Sequence, residues 1–108
     1  MGGARGHTSW ADPSTLVLAS LAGGPKHGYA IVSDVRDLAG VHLGPGTLYG
    51  ALGRLEEQGL IEPLAADGRR RPYRITASGA AALDGQLTAM SSVATAGLTR
   101  LHAQGHPA

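Results

Sequence analysis

Cysteine is absent from the 108 residues, and so is phenylalanine. Without a thiol there is no disulfide staple, zinc–thiolate site or thiol nucleophile, and nothing points to an oxidising compartment, so the cytoplasm is the default location. Aromatic residues are scarce, three Tyr and one Trp, which leaves Leu, Ile, Val and Ala to fill a core and favours packed helices. No apolar run approaches the roughly 18 residues of a membrane span, and residues 1–10 lack the apolar segment of a signal peptide. A soluble chain with no membrane partner is expected. Enzymatic signatures are missing too. There is no Ser/His/Asp order with a nucleophile elbow and no clustered carboxylates, and Gly44 to Gly53 lacks the Lys-Ser/Thr pair of a phosphate-binding loop. An enzyme is therefore not expected, nor is a cofactor.

What is present points elsewhere. Net charge is only +1, yet five of the nine basic residues, Arg54, Arg69, Arg70, Arg71 and Arg74, fall within a span of 21. That concentration matters more for nucleic-acid binding than the total. The length suits one domain with a modest core.

Residues 1–11 are Gly-rich and polar apart from Trp10 and read as a flexible N-terminal arm. A winged helix-turn-helix domain is expected over residues 12–75. Asp12-Pro13 starts a first helix that continues through Leu16 to Ala22 and stops at Gly23-Gly24-Pro25. A second helix is expected from about His27 to Leu38, where Ile31, Val35 and Leu38 repeat at i, i+4 and i+7 and Ala39-Gly40 ends the run. After Val41 to Gly44, Pro45 opens a third helix with Leu48, Leu52 and Leu55 on its apolar stripe and Thr47, Gly50, Arg54 and Glu57 on the opposite side. Two short helices joined by a tight turn make a helix-turn-helix pattern.

Gln58-Gly59 ends the third helix. Leu60 to Leu64 then reads as a strand whose Pro63 implies a free edge, Asp67-Gly68 as a turn, and Arg71 to Ile75 as the returning strand. The hairpin is a basic wing. Thr76 caps a long final helix, residues 76–103, in which Leu83, Leu87, Met90, Ala94, Gly97 and Leu101 alternate by four and three, a seam suited to a partner helix. About 27 residues of helix would be ~40 Å long, more than a domain this small can cover. Dimerisation is the economical reading, through this seam together with Leu16 of the first helix. Residues 104–108 form a tail.

The fold class is thus mainly α with a small β-hairpin, a winged helix-turn-helix plus a long C-terminal dimerisation helix. Thr47 and Tyr49 can hydrogen-bond phosphates or base edges, Gly46 and Gly50 permit close approach to DNA, and Arg54 is placed for a phosphate or a guanine. Tyr49 reads alternatively as half-buried packing and Arg54 as a solvated partner of Glu57. Arg69, Arg70 and Arg71 sit at a hairpin tip, where a narrow minor groove attracts Arg, with a solvated loop as the plain alternative. His102 and His106 are four apart, but Gly105 and Pro107 flank His106 and no third ligand is evident, so no metal site is expected. Trp10 reads first as an anchor for the first helix and second as the lining of an effector pocket.

The sequence resembles the PadR family of bacterial transcriptional regulators, specifically its short subgroup with a single C-terminal helix. The resemblance is carried by Lys26-His27-Gly28-Tyr29, Gly44-Pro45-Gly46-Thr47-Leu48-Tyr49, Leu52 to Glu56, Gly59-Leu60-Ile61, Gly68-Arg69-Arg70-Arg71, and Tyr73-Arg74-Ile75-Thr76 with Gly79. It implies a homodimeric, sequence-specific repressor on a pseudo-palindromic operator in double-stranded DNA, released by a small-molecule effector. It also adds Lys26, His27 and Tyr73 to the candidate DNA-binding residues, with a capping or merely exposed role as the equal alternative for Lys26 and His27. Where Gly44, Gly50 and Gly53 stand, the family commonly has Ser, Pro and a basic residue. Two glycines inside one helix lower its helical preference by ~2 kcal/mol relative to Ala. A winged helix used only for binding protein is the alternative, and the basic wing speaks against it.

Overall fold

A computed structural model describes residues 12–106, which form four helices and a three-stranded antiparallel sheet. Helix α1 (Pro13–Leu21) lies at the centre. Its Thr15 to Leu18, Ser20 and Leu21 are all buried, because α3, α2, α4 and the sheet surround it, and a helix covered on all sides has no need of an amphipathic pattern. Pro13 opens it as expected, but the Asp12 carboxylate caps no N–H. Only the Asp12 carbonyl serves, accepting from the Leu16 N–H at 3.1 Å.

A two-residue strand β1 (Lys26–His27) precedes α2 (Gly28–Ala39), which stops where Gly40 turns left-handed at φ 69°. Ile31 and Val35 enter the core, whereas Leu38, expected to complete their stripe, is 59% exposed. Leu38 instead lines an open apolar hollow with Leu16, Ala19, Leu87 and Met90. Val41 and Leu43 peg the connection into the core, and α3 (Pro45–Glu57) begins at Pro45 with Gly44 as its extended N-cap. Its Leu48, Ala51, Leu52 and Leu55 are buried.

The hairpin joins β2 (Ile61–Pro63) to β3 (Pro72–Ile75), with Ile61 opposite Ile75 and Pro63 opposite Tyr73. It is shorter than the sequence pattern suggests, and β3 is the middle strand rather than an edge: β1 pairs on its other side, Lys26 with Tyr73 and His27 with Pro72. Lys26-His27 is thus a strand, with His27 also the N-cap of α2, and the helix starts one residue after the expected start at about His27. Pro63 does lie on an edge strand, where its missing N–H costs no ladder bond. At the tip, Asp67 and Arg70 exchange backbone hydrogen bonds of 2.7 and 3.1 Å around Gly68-Arg69, with Gly68 at φ 65°, matching a hairpin turn that places glycine at its first central position.

Helix α4 (Ala77–Ala103) leaves the sheet from a fully used cap. The Thr76 hydroxyl accepts from the Gly79 N–H at 3.0 Å and donates to the Gly59 carbonyl at 2.7 Å, while the Thr76 N–H bonds to the Leu60 carbonyl at 3.0 Å. Thr15 on α1 donates to Gln86 at 3.0 Å, tying the first half of α4 to the core. Beyond Met90 every described residue of α4 is exposed, and the molecule reaches 55 Å along its longest axis.

The expected seam therefore divides. Leu16 and Leu83, at 4% and 5% exposure, fill the protomer's own core and have almost no surface left for a partner, which corrects their reading as dimerisation residues. Leu87 and Leu101 remain exposed, and so do Val93 and Leu98, which the four-and-three spacing passes over. Leu98 lies about three turns beyond Leu87 and so faces the same way. Trp10 and the N-terminal arm lie outside the described residues.

Candidate nucleic-acid interface

The face of the molecule that carries α3 and the hairpin has one polar cleft, of about 420 Å³. His27, Gly28 and Tyr29 from the start of α2, Tyr49 from α3, and Arg69, Arg70, Arg71 and Tyr73 from the hairpin line it. Three separate stretches of chain thus bring together six of the expected residues. Tyr29 joins them. At 78% exposure it is a bare phenol beside the cleft, and the His-Gly-Tyr run was its only sequence signal.

The packing of Tyr49 depends on a glycine. A Cβ on Gly28 would stand 2.8 Å from the Tyr49 hydroxyl and 3.3 Å from Leu48 Cδ2. The phenol thus lies across the N-terminus of α2, and Tyr49 stays 58% exposed, so it combines packing on Gly28 with an accessible face. The first N–H groups of α2, which have no helical acceptor, lie at the same place. Burial raises the Tyr73 phenol above its ordinary value, Glu56 adds to the rise, and Arg71 opposes it. Tyr73 is therefore a neutral donor at physiological pH.

The basic residues divide into those held by the protein and those left to solvent. Lys26 points inward. Its ammonium donates to the Ser20 carbonyl at 2.6 Å, with the Gly24 carbonyl at 3.4 Å, and lies 3.8 Å from Asp34 Oδ2, which itself accepts from the Ser20 hydroxyl at 2.7 Å. The charge caps the C-terminal end of α1, as cations favour, and is committed to these internal partners. Lys26 thus takes a capping role, the alternative to a DNA contact.

Arg71 donates to the Leu64 carbonyl at 3.1 Å, and both Nε and Nη2 of Arg74 reach Glu62 Oε2. Arg54 leans towards Ser14 on α1, at 3.5 Å, and makes no ion pair with Glu57 among the described residues. Arg69 and Arg70 have no side-chain hydrogen bond or ion pair to any described residue. Gly46, Thr47, Gly50 and Arg54 lie outside the cleft, on the exposed side of α3.

A model of the Transcriptional regulator PadR-like family matches residues 17–85, from α1 through the hairpin into α4. The chain belongs to that family. PadR-like proteins are transcriptional regulators rather than enzymes. A solved PadR family transcriptional regulator from Eggerthella lenta is 34% identical, with a TM-score of 0.64 over 81% of this chain and 80% of that one. One from Clostridium difficile shares the fold, with a TM-score of 0.75 at 24% identity over 84% of this chain and 99% of that one. An uncharacterized 37.1 kDa protein in transposon TN4556 of Streptomyces fradiae is 46% identical over 80 residues, 74% of this chain. The match covers 23% of that protein, so this PadR-like chain spans about a quarter of its length. Among the described residues no helix is long and apolar enough to cross a membrane, and no three His, Cys, Asp or Glu residues group as metal ligands.

Proposed function

We propose that the chain binds double-stranded DNA as a homodimer and represses transcription from a pseudo-palindromic operator until a small molecule releases it. The observation that carries this reading is the cleft, in which uncommitted arginines, tyrosine hydroxyls and the N-terminus of α2 converge beside the exposed side of α3. The hydroxyls and the helix terminus suit phosphate oxygens, the arginines suit phosphates or a narrow groove, and the neighbouring helix suits a major groove. Two such surfaces related by a twofold axis would meet half-sites about one helical turn apart. The exposed Leu87, Val93, Leu98 and Leu101 of α4 support pairing of two copies. For an effector, the support is an apolar hollow of about 290 Å³ where Leu16, Ala19, Leu38, Leu87 and Met90 come together. No aromatic residue of α4 is available to stack on a planar ligand, so the hollow suits a compact apolar molecule.

Gel-shift titration on DNA from the chain's own promoter region, against random duplex at physiological salt, tests the reading. Tighter binding to the promoter DNA is expected, and equal binding to both would overturn it.

A further inference from the structure

We propose that Arg69 and Arg70 carry the sequence discrimination of this chain by reading a narrow, A·T-rich minor groove, while α3 fixes its position on the major-groove side and reads few bases. The inference rests on the DNA-binding reading above and says which part of the surface distinguishes one sequence from another.

An inventory of what α3 can present to base edges supports it. A recognition helix reads bases chiefly with residues of its N-terminal turns. There the exposed positions of α3 are Pro45, whose ring has neither donor nor acceptor, Gly46, Thr47, Tyr49, Gly50 and, one turn on, Gly53. The three glycines offer no side chain, and a Cβ at Gly46 or Gly53 would meet nothing within 4 Å and one at Gly50 only the Arg54 guanidinium at an ordinary 3.5 Å, so no tight packing accounts for them. Tyr49 turns its hydroxyl to Gly28 at the N-terminus of α2, where the unpaired N–H groups of that helix suit a phosphate, and phosphate contacts fix register without reporting sequence. Arg54 is in the last turn, leaning on Ser14. That leaves the Thr47 hydroxyl, which donates and accepts equally well and so separates bases poorly.

The hairpin tip is the opposite case. Arg71 and Arg74 are held by Leu64 and Glu62, whereas Arg69 on the two-residue turn and Arg70 that closes it have their guanidinium groups uncommitted among the described residues. A guanidinium is attracted to the deepened negative potential of a narrow A·T minor groove, which makes the width of that groove, and hence its sequence, an energy.

The test starts from duplexes selected from a random pool with the full chain. In the selected duplex, the A·T pairs flanking the contacted core are replaced by inosine·C or by G·C. Inosine lacks the 2-amino group, so it keeps an A·T-like minor groove while presenting the major-groove edge of guanine. Inosine·C is expected to keep affinity within about threefold and G·C to lower it roughly tenfold, the usual scale of a wrong base pair. R69A/R70A is expected to bind the three duplexes equally, and R69K/R70K, which retains the charge, to bind but discriminate less. T47A is expected to change the preference by less than about threefold. Inosine·C proving as damaging as G·C, or T47A erasing a preference that R69A/R70A retains, would overturn the proposal and place discrimination on α3. Absence of salt-dependent binding to any duplex is a separate result that removes the DNA-binding reading and this inference with it.

Discussion

The hydroxyl of Tyr49 lies 2.8 Å from the place a Cβ would occupy on Gly28, so a residue with no side chain on α2 decides where a phenol on α3 rests. Gly28→Ala should push the phenol aside, since the tip of an exposed side chain moves more cheaply than backbone. Loss of one hydrogen bond to a charged phosphate is worth about 1.5 kcal/mol or more, roughly tenfold in affinity. The expected result is a tenfold weaker gel shift with a melting temperature changed by no more than about 2 °C.

Gly79 has the reverse character. A Cβ there would collide with the Leu60 carbonyl and come within 2.9 Å of Ile75 Cγ1. The Leu60 carbonyl is backbone and already accepts the Thr76 N–H, so it cannot yield without breaking the cap of α4. Gly79→Ala should destabilise by about 2–3 kcal/mol, lowering the melting temperature by roughly 10 °C. Thermal unfolding followed by circular dichroism checks this.

Lys26 and Arg70 should separate stability from binding. Lys26 is tied to Ser20 and Asp34, so Lys26→Ala is expected to cost about 1.5 kcal/mol of stability and little DNA affinity. Arg70→Ala, with no side-chain partner to lose among the described residues, should leave stability within about 0.5 kcal/mol. It should also flatten the log–log dependence of affinity on salt by about one unit of slope. Denaturant titration and salt-dependent gel shifts on both variants provide the comparison.

Tyr73 predicts the behaviour at high pH. Its phenol ionises above 10.0 in the folded chain because burial and Glu56 disfavour the phenolate. An unfolded chain therefore releases this proton first as pH rises. The corresponding stability is complete below pH ~10 and is lost as pH climbs through the folded value. Tyr73→Phe should make the alkaline limb of the stability curve shallower, measured by chemical denaturation between pH 8 and 11.

If α4 pairs two copies, Leu98→Glu should halve the native mass at micromolar concentration. Leu98 is half exposed in the protomer, so helix content should not change. Sedimentation and circular dichroism together separate a lost interface from a lost fold.

The sequence disclosed the helices and the hairpin because local signals marked them: Pro13 and Pro45 at first turns, Gly40 at an end, Asp67-Gly68 at the tip, and Thr76 with an acceptor role that the structure shows. Strand β1 was illegible for the converse reason. Two residues carry no periodicity, and Lys26-His27 becomes a strand only because β3 arrives from 47 positions further along, Tyr73 opposite Lys26. The inward turn of Lys26 depends on Ser20 and Asp34 meeting across two helices, and a basic residue before a helix gives no hint of which way it points. The spacing of α4 told which residues share a face but not where the protomer's own core stops covering it, so Leu83 and Leu87 looked alike although one is buried and the other exposed. At the cleft, the run Arg69 to Arg71 announced charge, while the division between held and uncommitted guanidinium groups came only from their neighbours.

Thr76 bonds at once to Gly59, Leu60 and Gly79, which join the end of α3, the entry to β2 and the first turn of α4. There is no joint between the long helix and the hairpin. A tilt of α4 about its base must swing the arginine tip with it, as a lever swings about a welded pivot, and the spacing of two such tips in a pair would be set by the angle at which the two long helices cross.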